Sequence, residues 1–212
     1  MNGVNRAKQD GIVFYVPAWL TSKIDPTTGF VNLLKTRYVS VNETKSFINN
    51  VDRISYNDNE GYFEFDIDYD KFLGATSSFV KKWTICTYGD RISSFRNSNG
   101  YWENKVIVLT EEFKKLFESV KIDCNKSIKE QLTSSELNAD FCKAFMRLIT
   151  LTLQMRNSET GVVDNDYLIS PVKNRNGEFY DSRKVEINDS LPQDADANGA
   201  YNIARKAQWA VN

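Results

Sequence analysis

The sequence contains no histidine. That removes the usual general base at neutral pH, the commonest metal ligand and every catalytic triad built on imidazole, so hydrolytic chemistry here must rest on carboxylates. Cysteine is scarce: Cys86, Cys124 and Cys142 lie far apart with no C-x-x-C pair. Neither a zinc cluster nor a disulfide framework is expected, and reduced thiols in a cytoplasmic protein are. An excess of one charge is also missing. The 27 Lys+Arg and 28 Asp+Glu leave a net charge of -1, so contact with nucleic acid must come from local patches rather than bulk charge. The apolar run at residues 11–20 is too short to cross a bilayer, follows Asp10, is interrupted by Pro17 and has no cleavage site after it. It is expected to be a buried strand, and no membrane partner is expected.

What is present suits a folded core: 41% of 212 residues are hydrophobic, and no repeat or low-complexity tract interrupts them. After the first strand, TSKIDPTTG leaves one structural layer for another, placing a boundary near residue 22. A short helix is predicted over residues 40–50, capped at Asn42. YFEFDIDYDKF alternates, so a strand over residues 62–72 should turn Phe63, Phe65, Ile67 and Tyr69 inward and Glu64, Asp66, Asp68 and Asp70 to water. Further strands are predicted at residues 83–88, 91–95 and 105–109. A helix capped by Thr110 should follow over residues 111–120. The strongest helix is predicted over residues 134–155, with Leu137, Phe141, Phe145 and Leu148 on a stripe widened by Cys142, Met146, Ile149 and Leu153, hence covered on most sides. Two short strands, at residues 167–169 and 178–180, lie in a loop-rich stretch beyond it.

The chemistry-bearing candidates begin with DADANGAYNIARK. Asp194, Asp196, Asn198 and Gly199 match the opening of a calcium loop, but the twelfth position, where a bidentate glutamate should close it, is Arg205. The plainer reading is a carboxylate capping a helix whose Ala197, Ala200, Ala204 and Ala207 allow close packing. Arg156, in LQMRNS, would ordinarily complement the C-terminal dipole of the long helix. Asp166 and the run Asp181-Ser182-Arg183 would ordinarily be turn residues. Lys81, Lys82 and Trp83, with Arg91 and Arg96 nearby, mix cations and aromatics as surfaces that bind single strands do, and as many solvated sheet faces also do.

GIVFYVPAWLTSKIDPTTGFVNLL, KKWTICTYGDRISSFRN, LQMRNSETG, DYLISPVKNRNGEFYDSR and LPQDADANGAYNIARK together resemble the C-terminal part of the type V-A CRISPR effector nucleases, in the same order. The resemblance implies an α+β chain: a Nuc domain of mixed helices and antiparallel strands over residues 23–190, flanked by two pieces of an incomplete RNase H-like (RuvC) domain, residues 1–22 and 191–212. It implies DNA endonuclease chemistry, with Asp196 as the third RuvC acid and a ligand of a two-magnesium site. Arg156 corresponds to the Nuc arginine needed for cleavage, and Asp166 to an acidic residue near the site. Arg183 joins Lys81, Lys82, Trp83, Arg91 and Arg96 as candidate nucleic-acid contacts. The implied partners are the target and non-target DNA strands, with guide RNA held by parts of the effector not represented here. The first two RuvC acids have no counterpart in the sequence, so the chain is expected to be a piece of the effector and inactive alone. A noncatalytic single-strand-binding module and a calcium-regulated interaction protein are the alternatives. The two RuvC pieces are expected to expose apolar surface and fray.

Overall fold

The computed structural model describes residues 16–74, 80–159, 166–186 and 190–211. Most of the expected first strand lies outside them, and residues 16–20 form an irregular segment ending in a turn. Helix α1 (Val41–Asn50) is capped by Ser40, whose hydroxyl accepts from the Glu43 N–H, and not by Asn42. The S-x-x-E spacing at Ser40 is the stronger start signal, which leaves Asn42 inside the first turn.

Strand β1 (Val51–Asn57), not anticipated, pairs antiparallel with β2 (Tyr62–Asp68), which pairs with β3 (Lys82–Cys86). Phe63, Phe65 and Ile67 are buried as the alternation requires. On the opposite face Arg53 bridges Glu64 at 3.3 Å and Asp66 at 2.7 Å. The strand stops at Asp68, short of the predicted Phe72, because the Asp68 carboxylate accepts from the Asp70 N–H and starts α2 (Tyr69–Leu73). Strands β4 (Asp90–Arg96) and β5 (Trp102–Val108) form a separate two-stranded ribbon.

Helix α3 (Leu109–Ser119) begins immediately after β5, so Thr110 lies inside it and is not its cap. Its hydroxyl is buried and donates to the Thr87 carbonyl at 2.9 Å. The helix predicted over residues 134–155 starts five residues later and ends three earlier, and a separate short helix, not anticipated, precedes it. A short α4 (Ile128–Ser134) ends before Asn138, which caps α5 (Ala139–Thr152) by accepting from the Phe141 N–H. Phe141, Cys142, Phe145, Met146, Leu148 and Ile149 are all buried, in keeping with the wide stripe. With Phe63, Phe65, Phe113 and Phe117, Phe145 forms an aromatic cluster between α3, α5 and the first sheet. Each such ring stabilises the fold by about 1.5–3 kcal/mol.

A third antiparallel sheet joins β6 (Arg156–Ser158), β7 (Asp166–Lys173) and β8 (Phe179–Asp181). Its β7–β8 register shifts between Ile169 and Lys173, around Pro171, which has no N–H to give the ladder. The chain is therefore α+β, with six helices and three small antiparallel sheets among the described residues. Helix α6 (Ala195–Val211) returns to the start of the chain. Buried Asn198 and Asn202 donate to the carbonyls of Thr21, Ser22 and Ile24 at 3.0–3.2 Å, and Lys206 donates to those of Pro17 and Trp19. This half of α6 is pinned by polar bonds, where an unsupported, fraying helix was expected.

Candidate nucleic-acid interface

The end of α5 determines where the candidate residues lie. Arg91 is fully buried, and its guanidinium donates to the carbonyls of Gln154 at 2.8 Å and Thr152 at 3.2 Å, and to those of Tyr88 and Asp90. Burial pushes its pKa down to about 10, which still leaves it protonated at neutral pH. Arg91 therefore completes the C-terminal end of α5, the place expected for Arg156, and presents nothing to a nucleic acid. Gly89 lets the chain approach: its φ is +73°, and a Cβ there would stand 2.5 Å from Ile169 Cδ1.

Because α5 ends at Thr152, Arg156 opens strand β6 instead of closing a helix. Asn157, fully buried, fixes that strand: its Oδ1 accepts from the Ile92 N–H and from Gln154 Nε2, each at 3.0 Å, and its Nδ2 donates to the Met155 carbonyl. Alternation then turns Arg156 and Ser158 outward. Asp166 pairs with Ser158 in the β6–β7 ladder, so it is the diagonal cross-strand neighbour of Arg156. The two side chains meet in an ion pair of 2.7 Å, with Arg156 about half exposed (48%). Asp166 Oδ1 is buried without a hydrogen-bond partner among the described residues.

Arg156 stands at an open cleft of about 590 Å³, bounded by the turn at residues 20–23, by Ile92, Ser93 and Ser94 of β4, and by the end of α5. Its two charged lining residues, Lys23 and Arg156, are both cations. Lys23 was not singled out from the sequence. The available signal was a cation inside TSKIDPTTG, a loop read only as a passage between layers.

The other candidates are dispersed. Lys81 is bound to Asp70 at 2.6 Å, and Lys82, 80% exposed in its side chain, lies 3.9 Å from Asp68. Asp70 of α2 and Asp68 at the end of β2 thus draw both lysines. Trp83 packs edge-on against Phe30 at 5.2 Å and donates Nε1 to the Val80 carbonyl. Arg96, exposed on the ribbon, lies over the Trp102 ring at 5.2 Å. Arg183 holds Asp181 at 2.9 Å and Asp90 at 3.1 Å, with its guanidinium 4.1 Å from the Tyr167 ring centre. Burial would raise the Asp90 carboxyl, but hydrogen bonds from Arg183 and Tyr167 outweigh it and hold the group below its ordinary value.

Asp194 accepts from the Ala197 N–H at 2.7 Å, and Asp196 is exposed in the first turn of α6. The calcium loop is not formed: Asn198, its would-be fifth ligand position, is buried and spends its amide on the Ser22 and Ile24 carbonyls. Arg205 donates to the Pro26 carbonyl. Among the described residues no group of three His, Cys, Asp or Glu converges on one point. These donors do not amount to a two-magnesium site, since Asp196 offers one carboxylate. Burial raises all three thiols, Cys86 to about 12, which keeps them protonated. No helix among the described residues is long and apolar enough to cross a membrane.

A family model described as a nuclease domain (NUC) matches residues 24–184, well over half of the chain.

Proposed function

The chain belongs to the NUC nuclease-domain family, and from that premise we propose that it guides a DNA strand toward the phosphodiester-cleaving centre of an RNA-guided CRISPR effector. Nucleic-acid hydrolysis is the family's general chemistry. The observation that carries the strand-guiding reading is the cleft in which Arg156 stands, whose charged lining is wholly cationic. A guanidinium on a strand start held by buried Asn157 has a fixed direction and can give a phosphate two parallel hydrogen bonds. Asp166 holds Arg156 until a phosphate competes for it. Asp196 contributes one carboxylate to a magnesium site whose other ligands are not among the described residues.

The test is anisotropy of a labelled single-stranded oligonucleotide with the purified chain. Binding should weaken steeply with salt, Arg156→Ala should flatten the salt slope by about 0.7, and magnesium should produce no cleavage. Salt-insensitive binding, or cutting that Asp196→Ala abolishes, would contradict this reading.

A second reading, a single-strand-binding module with no part in cleavage, is favoured by the solitary position of Asp196. Asp196→Ala placed in an effector containing this chain separates the two. Lost cleavage with retained DNA binding supports the first reading, and unchanged cleavage the second.

A further inference from the structure

Lys23 is the second cation of the cleft, and the turn that carries it is built with unusual care. Leu20, immediately before Thr21–Lys23, has a φ of +59°, a left-handed conformation that costs a branched side chain about 1–3 kcal/mol and persists only where surrounding bonds enforce it. Here they do. On one side of Lys23 the Thr21 hydroxyl donates to the Ala18 carbonyl at 2.8 Å, and Asn202 and Asn198 of α6 hold the carbonyls of Thr21 and Ser22. On the other side both asparagines hold the Ile24 carbonyl, and buried Asp25 accepts from Thr27 and Thr28 to close the next loop.

So much enforced geometry leaves Lys23 itself exposed, with its ammonium meeting no carboxylate among the described residues. It shares the cleft lining with Arg156 and with the uncharged polar groups of Asn32, Ser93, Ser94 and Ser158. The helix that fixes the turn is the one that carries Asp196, three residues after the end of Pro192-Gln193 and two before Asn198. A group placed in the cleft by this turn is therefore placed in register with α6.

We propose that Lys23 is a phosphate-binding residue for a single DNA strand, gripping the backbone across the cleft from Arg156. This rests on the strand-guiding function above. It adds a second, independently positioned contact, supplied by the turn that α6 fixes and not by the sheet that carries Arg156. The ammonium acts as a point charge on a non-bridging phosphate oxygen, which suits a strand that slides, whereas the forked Arg156 sets orientation.

The experiment is the salt dependence of single-stranded oligonucleotide binding by the whole chain, for wild type, Lys23→Gln, Lys23→Arg and the double variant Lys23→Gln/Arg156→Ala, with thermal melts to verify folding. Losing one phosphate contact on a single strand lowers the log–log salt slope by about 0.7. Lys23→Gln should show that loss, Lys23→Arg should keep the wild-type slope, and the double variant should lose about twice as much. If Lys23→Gln keeps the full slope while Arg156→Ala loses its share, the Lys23 assignment is wrong and the strand-guiding reading survives. If Lys23→Arg falls as far as Lys23→Gln, charge is not what the position supplies, and the assignment again fails. Absence of salt-dependent binding by the wild type would overturn both.

Discussion

At the scale of single residues, the largest departure is Arg91. In RISSFR it looks like any cation on an alternating strand, and nothing local marks it as the group that closes the end of α5, because its partners Thr152 and Gln154 are more than sixty residues away. Its removal strands buried carbonyls. Arg91→Ala should therefore destabilise the fold by about 3–5 kcal/mol, measured by urea unfolding. A variant with wild-type stability and lost DNA binding would reverse this assignment. Gly89→Ala combines a positive φ with a clash on Ile169 and should cost about 1–3 kcal/mol in the same assay.

Arg183 makes a pH-dependent contribution through Asp90. The Asp90 carboxyl is held below its ordinary value in the folded chain, so its contribution is present above that value, about pH 3.9, and is lost as pH falls through the folded pKa. Arg183→Gln leaves burial to act with less opposition. The Asp90 pKa should then rise, followed by carbonyl NMR, and the acid-unfolding midpoint should move to higher pH. An unmoved midpoint would show that the ion pair is energetically idle.

At the scale of elements, the sequence announced those whose own periodicity is strong. The alternation of β2 and the broad apolar stripe of α5 were both legible, because each buries one continuous face. Boundaries were not legible at Asn138 and Asp68, whose side chains cap helices inside spans predicted as longer elements. β1 and β6 were missed since VDRISYN and RNS are polar, and tertiary pairing alone makes them strands. The α6 anchor was legible in part. DADANG signalled a helix start, but the role of Asn198 and Asn202 depends on carbonyls about 175 residues earlier in the chain. Asn202→Ala should loosen the turn before it unfolds the helix, with tryptic cleavage after Lys23 accelerating and stability falling by about 1–3 kcal/mol. Unchanged cleavage would mean that the turn holds itself.

At the scale of the whole molecule, the chain has almost no net charge, yet the charged lining of one cleft consists of two cations, Lys23 and Arg156. Association with an anionic strand must then be local and strongly screened by salt, in contrast to coating by a basic protein. Resemblance in sequence pointed to Arg156, Asp166 and Asp196, and the fold brings Arg156 and Asp166 into direct contact. Charge composition alone could not have separated Lys23 from the other lysines, since what sets it apart is its place in the cleft lining beside Arg156. The ribbon of β4 and β5, with Arg96 over exposed Trp102, offers the rival surface for a strand.

Amide hydrogen exchange with and without a single-stranded oligonucleotide distinguishes these surfaces in one experiment. Protection is expected at residues 20–24, 92–94 and 154–158, the walls of the cleft. Protection confined to residues 95–102 or 81–83, with the cleft walls exchanging as in the free chain, would contradict the account.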